Sequence, residues 1–137
     1  MLVDTSIWSL ALRRRQADLS ASENRIRDSF AELIREARVL LIGPVRQELL
    51  SGIRDSAQFD RIRNYLRSFE NYPIDMADYE QAAQMSNLCR TRGVASSSVD
   101  MVICAIAHKL NIPIFTTDKD YLRYSSLLTV QLFPAEA

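Results

Sequence analysis

Short apolar runs alternate along the chain with segments whose apolar residues recur at helical spacing. The runs are Leu2–Val3, 39–42, 72–74, 112–115 and 127–133. Runs that are continuous in apolar residues, rather than alternating, are typical of strands buried on both faces. Strands that alternate with helices predict an α/β fold of three layers, α/β/α, with a mostly parallel sheet of about five strands.

Capping signals mark where several helices begin. Ser20 and Glu23 have the Ser-x-x-Glu spacing of a capping box, and apolar residues follow them at helical spacing. Further helices are predicted after Asp4, after Gly43-Pro44, over 59–69, from Asp75 to about Gly93, and over 99–110. Because no repeat, linker or low-complexity segment interrupts this pattern, we expect a single domain over residues 1–137.

Composition places the chain among folded globular proteins, with 47% hydrophobic and 25% charged residues. No apolar run approaches the roughly 20 residues that span a bilayer, and the N-terminus lacks the features of a signal peptide. We therefore expect a cytoplasmic protein without membrane association. The formal net charge is zero, so total charge gives no argument for binding nucleic acid.

Cysteine and histidine offer little chemistry. Cys89 and Cys104 lie in predicted helices without the spacing of a zinc site, so we expect two reduced core thiols. His108 is the only histidine and lies late in a helix, where a partly buried or capping imidazole is the simpler expectation. A catalytic triad centred on histidine would have to use this residue.

Arginine is concentrated at one point, Arg13-Arg14-Arg15, where the first helix is predicted to end. Positive side chains at a helix C-terminus interact favourably with the helix dipole, so a solvated helix end is one explanation of the three arginines. Contact with RNA or with an acidic partner is the alternative. The sequence leaves both open.

Four acids stand where an apolar run ends or a buried-looking helix begins: Asp4, Glu48, Asp100 and Asp118. Three of them also have ordinary explanations. Asp4 could cap the next helix, Asp118 could cap a turn, and Asp100 could belong to a capping box with Ser97. Glu48 lies beside the apolar stripe of its helix, where a charge is expected to need a partner.

Taken together, these acids predict a metal site at one edge of the sheet. Two carboxylates about 5 Å apart repel each other by roughly 3 kcal/mol at an effective dielectric of about 20, so a cluster needs a compensating cation. Mg²⁺ or Mn²⁺ prefers such oxygen ligands and suits phosphodiester hydrolysis, because it can orient and deprotonate a water, polarise phosphorus and stabilise the departing oxygen. Asp120 is either an accessory ligand or a loop acid.

Four segments carry a family resemblance: VDTS at 3–6, RQELLSG at 46–52, SVDMVICA at 98–105 and TTDKDY at 116–121. They resemble the ordered motifs of PIN-domain nucleases, and most closely those of the VapC toxins of type II toxin-antitoxin modules. The resemblance extends over nearly the whole chain. It implies a PIN-like fold with Asp4, Glu48, Asp100 and Asp118 as the catalytic and metal-binding acids.

The same resemblance implies a Mg²⁺- or Mn²⁺-dependent endoribonuclease, with RNA such as tRNA as its substrate. It implies a homodimer that forms a higher assembly with a cognate antitoxin protein, which blocks the acidic pocket. Thr5 and Thr117 would help to position water or an acid.

Two other classes of function compete with the nuclease. In a receiver-like signalling domain, Asp75 would accept a phosphoryl group, with Asp4 near the metal and Lys119 late in the chain. That class usually has paired acids after its first strand, and here Asp4 is followed by Thr5 and Ser6. A dinucleotide-binding domain is disfavoured because no glycine-rich loop follows a strand.

Overall fold

A computed structural model of the protein describes residues 1–134, so residues 135–137 of the predicted domain lie outside the described part. The parallel sheet has its centre at two short strands, β1 (Leu2–Val3) and β2 (Ile114–Phe115), in which Leu2 is paired with Ile114 and Val3 with Phe115. Single parallel bridges extend this ladder on both sides: Leu2 to Leu40, Leu41 to Asn71, and Ile114 to Leu132.

Five chain segments therefore lie side by side in the order 71, 40–41, 2–3, 114–115, 132, and every pairing is parallel. In chain order this is 3-2-1-4-5. The direction of the order reverses between β1 and β2, and in sheets of this kind ligands bind beyond the carboxyl ends of the strands at that reversal. The predicted parallel α/β class is confirmed, although within residues 1–134 only β1 and β2 are longer than single bridges.

Several helices begin at residues where the sequence carries a capping signal. In chain order they are α1 (Thr5–Leu12), a 3₁₀ turn (Gln16–Asp18), α2 (Ala21–Arg35), α3 (Gly43–Leu50), α4 (Ser56–Leu66), α5 (Met76–Thr91), α6 (Ser98–Leu110) and α7 (Asp120–Leu127). The capping box at Ser20 and Glu23 is present.

Helices pack in two groups, which fits helical layers on two faces of the sheet. Helices α1 to α4 contact one another in the first group, and α5, α6 and α7 contact one another in the second. Helix α6 is the most deeply buried, because every residue from Met101 to Ala107 is buried. Around the sheet, Trp8 makes edge contacts with Phe30 and Phe69, with ring centroids 4.8 and 5.1 Å apart.

Two predicted strands differ from the structure. The run 127–133 does not form one strand, because α7 continues to Leu127 and only Leu132 bridges to the sheet. The run 72–74 pairs one residue earlier, at Asn71. Pro73 has no backbone N–H, so it cannot donate to a neighbouring strand.

Both cysteines are buried and free, as predicted. His108, in contrast, is exposed, and its Nδ1 lies 2.9 Å from the carbonyl oxygen of Thr129, so it is neither partly buried nor a helix cap. Within residues 1–134 no helix is both long and apolar enough to cross a membrane.

Candidate active site

The crevice at the reversal of strand order is lined by the residues that leave β1 and β2. Asp4 follows β1 and Thr116 follows β2, and the backbone N–H of Asp4 donates to the carbonyl of Phe115 at 2.9 Å. This single bond fixes the two strand ends beside each other. It places the first predicted acid at the position where ligands bind in such sheets.

Asp4 is held by four donors. Its side chain caps α1 by accepting from the Ser6 N–H at 3.4 Å, and the same Oδ2 accepts from the hydroxyls of Ser6 and Thr116, each at 2.8 Å. Its Oδ1 lies 3.5 Å from the phenol oxygen of Tyr121. Asp4 is only 5% exposed, so the capping role is real but accounts for only one of its contacts.

Asp100 faces Asp4 from the first turn of α6. Its backbone N–H donates to the Ser97 hydroxyl at 3.1 Å, which caps the helix. Its carboxylate accepts from the Tyr121 phenol at Oδ1, 3.1 Å, and from the Tyr124 phenol at Oδ2, 3.0 Å. A capping box would require that carboxylate to return to Ser97, so this interpretation of the side chain is wrong.

Tyr121 and Tyr124 are site residues that the sequence analysis missed. They lie three residues apart on α7, are 0% and 1% exposed, and stack edge to face with ring centroids 5.1 Å apart. Tyr121 bridges the two acids, because its hydroxyl is within reach of both Asp4 and Asp100. The available signal was a helix whose buried face carries phenols, since a buried tyrosine needs a polar partner.

Burial sets the protonation of this cluster. Loss of solvent raises the pKa of Asp100, the two phenols lower it again in part, and the negative charge of Asp4 raises it slightly. The pKa values of Tyr121 and Tyr124 are raised by burial and then by the neighbouring carboxylates, so both phenols stay protonated as donors. The pair of acids is therefore a desolvated site that favours positive charge.

Asp118 lies in the exposed loop that leads into α7, and Asp120 is the first residue of that helix rather than a loop acid. Asp118 Oδ1 accepts from the Asp120 N–H at 2.9 Å, and the Asp118 N–H donates to the Thr116 hydroxyl at 3.0 Å. The carboxylate of Asp120 is paired with Arg123 at 2.5 Å. These contacts show Asp118 capping the turn, as one sequence interpretation had it, and give Asp120 a structural partner.

The hydroxyls beside Asp4 are not the predicted pair. Ser6 and Thr116 make the contacts, and their hydroxyl oxygens lie 3.3 Å apart. Thr117 is exposed and contributes its backbone N–H, which donates to Ser6 at 3.0 Å. Within the described residues, the Thr5 hydroxyl is buried without a hydrogen-bond partner.

Glu48 is exposed on α3, whose buried residues are Val45 and Leu49. The expectation that its charge needs a protein partner is therefore wrong, because water can solvate it. Arg46, two residues before Glu48 on α3, donates to Asn71 Oδ1 at 2.8 Å and to the carbonyl of Leu66 at 3.0 Å.

Comparison with protein families decides the family of the chain. The family model described as "PIN domain" matches residues 1–127. The chain belongs to the PIN domain family. Domains of this family are generally nucleases that use divalent metals.

Solved structures show the same PIN fold. The crystal structure of FitAcB from Neisseria gonorrhoeae has a TM-score of 0.74 and 21% identity, covering 98% of this chain and 96% of that one. The structure of VapBC-1 from nontypeable Haemophilus influenzae has a TM-score of 0.70 and 15% identity, covering 99% and 98%. No curated protein sequence matches the chain.

The donor set of this PIN domain fits a hard divalent cation in part. Mg²⁺ is commonly bound through only one or two carboxylates and keeps several waters. Asp4 and Asp100 supply two carboxylates that share the Tyr121 phenol. Among residues 1–134, no group of three or more histidine, cysteine or acidic side chains is arranged to hold a metal ion. The four-acid site therefore stays a prediction.

Proposed function

We propose that this PIN domain is a Mg²⁺- or Mn²⁺-dependent endoribonuclease and the toxin of a type II toxin-antitoxin module. The observation that carries the proposal is the pair of Asp4, which is buried, and Asp100, which is partly buried, at the reversal of strand order, joined through Tyr121. An acid pair with a raised carboxyl pKa favours a cation. Family membership makes phosphodiester hydrolysis the reaction to test first.

Asp4 and Asp100 would hold the cation, and Glu48 and Asp118 are proposed to complete the site. When bound, the ion supplies an activated water and neutralises charge that develops on the phosphate oxygens. The chain's own residues prepare this pair. Ser6 and Thr116 fix the orientation of Asp4, and the α7 phenols fix both oxygens of Asp100, so neither acid needs to rotate into place.

We propose RNA such as tRNA as the substrate, a cognate antitoxin as the inhibitor, and a homodimer that joins a larger assembly with that antitoxin. The support is the resemblance of the four motifs to VapC toxins and the shared fold with FitAcB and VapBC-1. A cytoplasmic location is part of the same proposal.

Cleavage of purified RNA tests the activity. The full chain, free of any antitoxin, is incubated with total RNA and with tRNA in the presence of Mn²⁺ or Mg²⁺, and endonucleolytic fragments are expected. Asp4→Asn should abolish the fragments, whereas Asp28→Asn, an exposed acid on α2 with 71% exposure, should not. Absence of cleavage with both ions, together with unimpaired growth on expression, would refute the proposal.

The receiver-like alternative gains no support. Asp75, the proposed phosphoacceptor, caps α5 by accepting from the Asp78 N–H at 2.9 Å and forms an ion pair with Lys109 at 3.6 Å. It is thus part of a helix cap, four residues beyond the single bridge at Asn71, and not at the end of a strand ladder. The chain also belongs to the PIN domain family and not to a receiver family.

A further inference from the structure

A groove of about 680 Å³ lies between the C-terminal end of α1 and the first turns of α4. Its charged lining residues are four arginines and one acid: Arg13, Arg14, Arg15, Arg61 and Asp55. The formal net charge of the chain is zero, so this local excess of positive side chains is not a consequence of a basic composition.

The arginines of the groove differ in what they already bind. Arg14 is paired with Glu23 and donates to the carbonyl of Asp18, and Arg15 is paired with Asp18 at 3.3 Å. Arg13 and Arg61 are exposed and have no side-chain hydrogen bond or ion pair within residues 1–134. Two guanidinium groups are thus free to bind an anion from outside.

The acid in the groove, Asp55, offsets only part of this positive charge. Asp55 is the cap of α4, and its carboxylate accepts from the Gln58 N–H at 3.2 Å. The positive end of the α4 dipole opens on the same space, because Ala57 in its first turn lines the groove. The Asp55 carboxylate offsets this dipole, but Arg13 and Arg61 together outnumber that one acid, so the lining still favours a negatively charged group over a cation.

The topology places this groove toward the carboxyl ends of the strands. Helix α4 ends at Leu66, and a short connection leads from there to Asn71, where the chain enters the sheet. The C-terminal end of α4 therefore lies near the amino ends of the strands, and its first turn lies toward their carboxyl ends. Helix α1 begins at Asp4 and reaches Arg13 after eight residues, about 12 Å at 1.5 Å per residue.

We propose that Arg13 and Arg61 bind the phosphate backbone of the RNA strand that occupies the acid site, a few nucleotides from the bond that is cleaved. This inference rests on the proposed function, since it takes RNA as the substrate. The guanidinium group suits the task because it offers paired donors to phosphate oxygens. The contact would hold RNA without reading its sequence.

Binding measured without cleavage tests the groove separately from the nuclease activity. A labelled single-stranded oligoribonucleotide is titrated with the full chain in a metal chelator, and anisotropy is recorded between about 50 and 200 mM salt. For single strands, each lost phosphate contact should lower the slope of log K against log salt by about 0.7, which is about fivefold in affinity at 0.1 M salt.

Arg13→Ala and Arg61→Ala should each show this loss, and the double variant should show both. Arg13→Lys should retain the slope because the charge remains. Arg92→Ala is the matched control, since Arg92 is also exposed without a side-chain partner in residues 1–134 but follows α5, outside the groove. Thermal melting checks that each variant is folded.

Three outcomes overturn the proposal. The first is a wild-type chain that does not bind the oligonucleotide. The second is wild-type salt slopes in Arg13→Ala and Arg61→Ala while cleavage of RNA is normal, which leaves the nuclease proposal standing. The third is unchanged RNA binding together with lost binding of a polyglutamate probe, which would assign the groove to an acidic protein segment.

Discussion

Removal of the charge at Asp100 should stabilise the cation-free protein. The carboxylate is partly buried beside Asp4, and burial raises its pKa above the ordinary value for an aspartate. In Asp100→Asn the side chain keeps its size. Its amide oxygen can accept from one phenol, and its NH₂ group can donate to the oxygen of the other, Tyr121 or Tyr124.

The sign and size of the effect follow from proton linkage. A carboxyl group with a raised folded pKa contributes stability that is complete below its unfolded pKa and is lost as the pH rises through the folded pKa. At pH 7 the wild type has lost that contribution, whereas the neutral amide at Asp100 never titrates. Each unit of pKa elevation is worth about 1.4 kcal/mol, and about 4 °C in Tm for a domain of this size.

Urea unfolding from pH 3 to pH 8 in a chelator measures the difference. We expect Asp100→Asn to exceed the wild type in free energy of unfolding at pH 7, with the gap closing below about pH 4. Asp28→Asn, in an exposed position, should give no such pH-dependent gap. A variant less stable than the wild type at pH 7 would refute the view that desolvation dominates at this carboxylate.

Addition of Mg²⁺ or Mn²⁺ should reverse the order. An ion that binds only the folded protein stabilises it by about 2.7 kcal/mol at 100 times its Kd. The wild type should gain this stability and Asp100→Asn should gain little, because one of the two proposed carboxylate ligands is lost. Equal gains in both proteins would mean that the ion does not bind at Asp100.

Three further predictions concern single contacts. Tyr124→Phe removes the donor to Asp100 Oδ2 and should cost about 2 kcal/mol at pH 7 but about 1 kcal/mol below pH 4, where the acceptor is neutral; urea unfolding at both pH values checks this. Lys109→Met leaves Asp78, 3% exposed, without its cation at 3.1 Å and should lower the Tm, while Lys109→Met with Asp78→Asn should recover most of the loss. Glu48→Gln should change the free energy of unfolding by less than about 0.5 kcal/mol without metal, because the side chain is exposed; a larger change would show that its charge has a protein partner.

Local signals in the sequence predicted most of the fold. Capping residues such as Ser20 and Asp75 act within four residues, so their effect is visible without tertiary information. Strand extent is different, because a strand exists only where a neighbour pairs with it. The run 127–133 is apolar enough for a strand, yet its first residue completes α7, whose buried face includes Tyr121 and Tyr124.

The sequence singled out Asp4 and Asp100, which the structure brings together, but not the side chains that support them. Thr116 and Thr117 point to opposite sides of an extended chain, so the choice between them depends on the register of a two-residue strand. The Tyr121 contact with Asp4 joins residues separated by 117 positions, and no local pattern predicts it. Motif resemblance could point to Asp4 and Asp100 together because a family's motifs already contain such long-range information.

The different exposures of the four acids agree with the electrostatics that the sequence predicted. Close approach of two carboxylates costs roughly 3 kcal/mol, so a chain without a cation can keep few of them together. Asp4 and Asp100 are close, and hydroxyl donors from Ser6, Thr116 and α7 offset part of their charge. The other two acids, on α3 and in the loop before α7, stay in water, where repulsion is weak. Asp4 and Asp100 are thus the two acids that the fold itself holds together.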